Sequence, residues 1–300
     1  MGHRHRHCMQ PTSTDTMLAY SPSATARYVA QSRAAHQLWD SPLVLDDPVA
    51  LRLVGEQARA DLARGGLEKY SLLARSLRSF VVARSRFAED QLAASLARGV
   101  RQYVILGAGM DSFAYRNPHS ASGLRVWEVD HPNTQAYKRA QLAEGGVAVP
   151  QGTTYVPIDF QRQSLAEQLQ THGWDPQVPS FFSWLGVSMY LEPATVLDTL
   201  RWVATATPAG SGIAMDYVPP IAQQPWAVQA VLRMLAMAVA MQGEPWRGYF
   251  DPQALGQALR GMGFHTVIDW DSDTVNRHFF RKRSDGLGMG GGGHLLCAIL

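Results

Sequence analysis

Residues 23–98 are rich in Ala, Arg and Leu and show no alternation of apolar and polar positions, so they read as helix. Pro42 and Pro48 punctuate the stretch, and Gly65-Gly66 marks a break. Beyond Arg98-Gly99 the pattern changes. Residues 103–106, Tyr-Val-Ile-Leu, form a short apolar run ending in glycine, as a strand buried on both faces of a parallel sheet does. Similar runs recur at 124–129, 154–157, 180–184, 211–217, 265–270 and 295–300. Stretches of helical composition, such as 132–144 and 193–207, separate most of them. This alternation predicts an α/β layered fold with a mostly parallel, Rossmann-like sheet. The last two runs are joined by GLGMGGGGH, which offers no helix and predicts an antiparallel final strand. A single domain over 17–300 is expected, with a helical cap at 17–98 and an insertion at 220–249 that acts as a helical lid. Pro225 suits the start of a helix in that insertion and Gly243 its end. Residues 228–241 between them are apolar on nearly every face, so this helix is expected to be covered by protein on more than one side.

Composition narrows the class of molecule. The chain has 300 residues, 46% hydrophobic and 17% charged, and a net charge of +2, which describes a globular protein with no electrostatic case for nucleic acid. No apolar run approaches the roughly 20 residues of a membrane span. Only Cys8 and Cys297 occur, and no apolar signal segment opens the chain, so a cytoplasmic protein is expected. The opening MGHRHRH could chelate a divalent metal but reads as a tag or leader over 1–16; no metal site is expected elsewhere.

The chemistry is concentrated at 103–112, YVILGAGMDS, where a strand runs into a glycine turn. Gly107 and Gly109 allow a tight bend and close approach of a ligand to the backbone. A second run ends in Asp130, about twenty residues on, where a Rossmann unit places the acid that binds ribose hydroxyls. Ser112 stands where a dinucleotide motif wants its third glycine, and Asp111 would crowd a pyrophosphate. Both argue against NAD or FAD and for a nucleoside without phosphates. Asp159, in TYVPIDF, is a third acid at a third strand end. It can accept from an adenine amino group, with Phe160 beside it to pack on the ring, although an Asp there can equally cap a helix.

These pieces occur in ordered company. ARSRFAEDQL (83–92), VILGAGMDSFAYR (104–116), VWEVDHPNTQAYK (126–138), PIDF (157–160) and FFSWLGVSMYL (181–191) resemble the leucine carboxyl methyltransferase family, bacterial secondary-metabolism members included. GEPWRGYFDP, GMGF and RSDGLG extend the likeness to the end of the chain. The resemblance implies a class I methyltransferase sheet and S-adenosylmethionine as cofactor. It implies Asp130 on the ribose, Asp159 and Phe160 at the adenine, and Gly107, Ala108 and Gly109 along the methionine backbone. Arg84 would pair with the cofactor carboxylate. Leu185 departs from the eukaryotic branch, which carries a glutamate there for the cofactor's amino group. That leaves the amino group's partner open and argues against a protein-phosphatase substrate.

A carboxylate acceptor is ionised at neutral pH and needs no base, whereas a hydroxyl needs one. No His/Asp or Lys/Glu pair lies close in sequence to the fourth strand, and His172, His265 and His278 are scattered. A carboxylate of a small molecule is therefore the expected acceptor, with a phenol, enol or alcohol as the alternative. A cofactor-binding cyclase that transfers no methyl group, and a dehydrogenase, are the other classes. Tyr190, just past the fourth strand, is the expected polar group near the methyl. Met234, Met237 and Met241 form one helical stripe, expected to roof the acceptor pocket with Trp226, Trp246 and Tyr249 at its rims.

Overall fold

The computed structural model describes residues 24–300 except Gln161. The expected leader at 1–16, the start of the cap and Cys8 lie outside the described residues. The described part of the cap is helical, with no strand before residue 102: α1 (Ala24–Trp39), α2 (Ala50–Leu53), α3 (Glu56–Arg64), α4 (Leu67–Tyr70) and α5 (Leu72–Ala97). Ser71 caps α5 by accepting from the Ala74 N–H, and 26 residues carry that helix roughly 39 Å across the sheet.

The sheet comes next, with strands and helices alternating as β1 (Gln102–Leu106), α6 (Phe113–Arg116), β2 (Arg125–Asp130), α7 (Pro132–Glu144), β3 (Thr153–Pro157), α8 (Leu165–Thr171), β4 (Ser180–Trp184), α9 (Pro193–Ala206) and β5 (Gly212–Tyr217). After β5 come α10 (Trp226–Ala240), α11 (Pro252–Gly261), β6 (Thr266–Trp270), α12 (Ser272–Phe279) and β7 (His294–Ile299). The seven strands lie in the order β3-β2-β1-β4-β5-β7-β6. β1 to β5 pair in parallel, and β7 runs antiparallel to both β5 and β6, as expected, but the connection from β6 is not free of helix, because α12 precedes the glycine-rich stretch.

Period-two alternation divides the core between the two faces of the sheet. Tyr103 and Ile105 pack with Phe87, Leu92 and Phe181 under α5, while Val104 and Leu106 pack with Trp127, Phe182 and Leu200 on the other face. With both faces covered, β1 and β4 are buried at every position, which is why β1 reads as an apolar run over 103–106 and β4 as an aromatic-rich one interrupted only by small serines. Strand order reverses between β1 and β4, and open sheets of this kind take ligands at the carboxyl ends of the strands flanking such a switch.

Candidate active site

Residues 107–112 leave the tip of β1 and turn over the tip of β2. The Gly107 and Ala108 N–H groups both donate to Val129 O, at 2.9 and 3.0 Å. Gly107 has φ +66°, and a Cβ there would stand 2.6 Å from Val187, so only glycine fits the bend. Gly109 (φ +46°) donates to Asp130 Oδ2 at 2.5 Å, and the His131 N–H donates to Oδ1 at 2.6 Å. Asp130 thus stands at the strand tip with both oxygens held, each retaining a lone pair for a ligand. Burial raises its pKa against the opposing pull of those two N–H groups and of Lys138. The Lys138 ammonium is itself buried, 2.8 Å from Glu128 Oε2. Asp159 lies half-buried after β3, 3.5 Å from the Arg162 guanidinium, and Phe160 beside it is 57% exposed. Three acidic or aromatic candidates therefore stand at adjacent strand tips beside the glycine turn.

Arg84 reaches the neighbouring tip from α5. Its Nη1 donates to Asp216 Oδ2 at 3.0 Å, and Asp216 Oδ1 accepts from the Gly186 N–H at 2.6 Å. Asp216 gives no sequence signal of its own, since one acid inside the apolar β5 run reads as an interruption. Gly186 has φ +72°, and a Cβ there would meet Arg84 Nη2 at 2.7 Å, so the guanidinium lies flat against this loop. Leu185 packs against the core cluster under α5 and offers no polar group. Asp111 meets Arg33 of α1 at 3.2 Å.

The acceptor candidates divide. Tyr190, Trp246 and Tyr249 come together around Met189, Val218 and Leu232, with Val228 alongside. The Trp246 Nε1–H is buried within reach of the Tyr190 hydroxyl yet makes no hydrogen bond of ordinary geometry. Burial raises the pKa of Tyr190, against contacts with Thr25 and Trp246 that lower it, and burial likewise raises that of Tyr249.

Among the described residues, the expectation that α10 is covered on more than one side is not met. Leu232 is its one buried residue, whereas Trp226 is 83% and Met237 63% exposed, with Met234 and Met241 on the same outer stripe. An all-round apolar helix usually signals burial, but the described residues pack on one side of it.

His172 ends α8, and His265 and His278 are surface residues, so none of the three stands among the acceptor candidates. A different histidine was not legible in the sequence. His294 Nδ1 lies 2.9 Å from Asp269 Oδ1, and the Tyr217 hydroxyl donates to Asp269 Oδ2 at 2.5 Å. The pairing of Tyr217 with His294 in the β5–β7 register puts this trio at the same sheet edge as the glycine turn. A surface cleft of about 400 Å³ lined by Leu38, Trp39, Arg64 and Lys69 lies in the cap and includes no strand-tip residue.

The profile of the Leucine carboxyl methyltransferase family matches residues 26–204, well over half of the chain. The chain belongs to that family. Among its relatives, YktD of Bacillus subtilis (strain 168), provisionally named an S-adenosyl-L-methionine-dependent methyltransferase, is 30% identical over 286 residues, covering 88% of this chain and 93% of its own. A protein of Mycolicibacterium gilvum (strain PYR-GCK) with the same provisional name is 34% identical over 224 residues, 70% of this chain and 72% of its own. In fold, the chain is similar to a solved structure from Thermobifida fusca YX (TM-score 0.57, 16% identity, covering 93% of this chain and 95% of that one). It is also similar to a DUF574 family protein from Streptomyces avermitilis (TM-score 0.54, 18% identity, 92% and 97%). As a member of the leucine carboxyl methyltransferase family it is an S-adenosylmethionine-dependent methyltransferase.

Proposed function

We propose that this methyltransferase moves the methyl group of S-adenosylmethionine to a carboxylate oxygen of a small organic molecule of the secondary-metabolite kind, in the cytoplasm. The observation that carries the acceptor class is the clustering of Tyr190, Trp246 and Tyr249 in an apolar setting, with both tyrosine pKa values raised by burial. Groups that hold their protons at neutral pH donate hydrogen bonds to an acceptor and do not deprotonate it. A carboxylate needs no deprotonation. On the cofactor side, Asp130 suits the ribose hydroxyls, Asp159 and Phe160 the adenine, residues 107–109 the methionine backbone and Arg84 its carboxylate. The donor set fits: Asp130 and Asp159 offer carboxylate oxygens that can accept from the sugar hydroxyls and the base amino group. When bound, the sulfonium supplies an electrophilic methyl group; the protein's task is to align it with the acceptor and exclude water. Trp226 and Met237 would join the acceptor side only if a long substrate reaches the outer stripe of α10.

The hydroxyl alternative also has an observation in its favour, because Asp269 orients His294 as an acid orients a catalytic imidazole. One experiment separates the two. Labelled S-adenosylmethionine is offered with a panel of carboxylic acids and phenols, and the rate on any substrate found is followed from pH 6 to 8. A carboxylate acceptor is expected to give labelled ester at a rate flat across that window. Labelled ether, with a rate that climbs with pH and is lost in His294→Gln, would replace this reading with the hydroxyl one.

A further inference from the structure

Beneath the glycine turn lies a group of charged side chains that methyl transfer does not use. Arg33, on α1 of the cap, is 3% exposed. Its Nη2 donates to the Met110 carbonyl and its Nη1 to Asp111 Oδ2 at 3.2 Å, so one guanidinium grips two successive residues of the turn. Its Nε lies 3.5 Å from Asp47 Oδ2, and Asp47 is wholly buried. Asp47 in turn accepts from Ser112 Oγ at 2.6 Å and lies 3.3 Å from Arg116 Nε. Arg116 then clasps Glu89 of α5 through both terminal nitrogens. The far end of the turn is thus held by side chains of α1, α5 and the 40–49 loop, where no sheet ladder reaches it.

Stability does not account for this arrangement. Asp47 and Arg33 are shut away from water and Asp111, Glu89 and Arg116 largely so; ions removed from water lose several kcal/mol of hydration each, and apolar residues of similar volume commonly hold such positions as well or better. Charged networks fix geometry more sharply than apolar contacts do. The geometry fixed here is that of residues 110–112, directly after Gly109, whose N–H holds the Asp130 carboxylate. Burial alone would push Asp111 up; Arg33 first, then Lys138, outweigh it and keep the carboxylate ionised where it can hold Arg33 and cap the Phe113 N–H at 2.8 Å.

We infer that Arg33 is a positioning residue for cofactor binding: the helical cap, through this guanidinium, sets the shape of the turn against which the cofactor lies. The inference rests on the reading of the turn and Asp130 as the cofactor site. It predicts that affinity for the cofactor depends on a residue that never touches it.

Arg78, in the same cap, supplies the control. It makes a buried bidentate pair with Asp40, at 2.8 and 3.0 Å, and does not reach the turn. Calorimetric titration of S-adenosylhomocysteine into Arg33→Met, Arg78→Met and Asp130→Ala, with unfolding midpoints measured in parallel, tests the idea. Arg33→Met is expected to raise the Kd about tenfold or more, while Arg78→Met loses stability yet keeps its Kd within about twofold. Wild-type affinity in Arg33→Met, or equal weakening in both arginine variants, overturns the inference. Should Arg33→Met fail to fold, Arg33→Lys decides, because one ammonium cannot hold the Met110 carbonyl and Asp111 as a fork does. A Kd raised roughly threefold supports the role and an unchanged one overturns it. Loss of binding in Asp130→Ala alone leaves the site in place without Arg33; no loss even there removes the site and the inference together.

Discussion

Asp130 shows how much a single side chain can be asked to do. It closes the glycine turn through Gly109, starts the connection to α7 through His131, and keeps lone pairs for a ligand at the strand tip. Hydrogen bonds to a charged group contribute on the order of 1.5 to 3 kcal/mol. Asp130→Ala is therefore expected to weaken S-adenosylhomocysteine binding roughly 10- to 200-fold, as measured by calorimetry. Asp130→Asn keeps one carbonyl oxygen as acceptor and should fall between that variant and wild type. If both variants bind as wild type does, the ribose lies elsewhere. Arg84 offers a contrast at the same scale. Its partner Asp216 is fully buried, so Asp216→Asn should disturb folding as well as binding, and binding alone would be the wrong readout for it.

At the scale of elements, α10 is the part whose sequence and surroundings disagree. Leu232 is 5% exposed and packs against Met189 and Val218, whereas Met237 projects into solvent. Leu232→Ala should cost roughly 2–4 kcal/mol of stability in denaturant titrations, and Met237→Ala should stay within about 0.5 kcal/mol of wild type. A Met237→Ala protein with normal stability and a raised acceptor KM would keep α10 in the pocket; unchanged kinetics would make it a bystander. The sheet itself was legible because its central strands are covered on both faces, which leaves apolar stretches such as β1, ending at Gly107, and β2, ending at Asp130. The antiparallel β7 matched the expectation drawn from GLGMGGGGH, but α12, which fills Ser272–Phe279 in the same connection, was missed, so the absence of a helix is not what sets the strand direction. The exposure of α10 was not legible, since apolar composition reports what a helix could bury and says nothing of whether a neighbour arrives. Nor were Arg33 with Asp111 or Asp269 with His294, whose partners lie 78 and 25 residues apart and meet only through the fold.

Across the whole molecule, charged side chains tie the helical cap to the rest of the fold, and the tie reaches the last loop as well as the turn. Asp285, between α12 and β7, accepts from both sides of the Arg283 fork and from the Ser41 N–H of the cap at 3.2 Å, while Arg75 of α5 donates to its carbonyl. The Arg283 hydrogen bonds lead in lowering its carboxyl pKa from 3.8 to about 2. A folded pKa below the unfolded one means that folding favours the ionised form. Its contribution is complete above about pH 3.8 and is lost as the pH falls through about 2. The full shift would correspond to more than 2 kcal/mol, but solvent reaches the pair, and screening reduces the expected contribution to about 1 kcal/mol. Asp285→Asn should therefore be less stable than wild type by about that amount at pH 7, and the two unfolding curves should converge as the pH approaches 2. Because Asp285 joins the cap to the C-terminal loop and touches neither the turn nor the acceptor cluster, the same variant should bind S-adenosylhomocysteine as wild type does. A gap that persists undiminished at pH 2 would mean that the neutral side chain holds Ser41 and Leu287 as well as the carboxylate does, and that shape, not charge, joins the two ends of the fold.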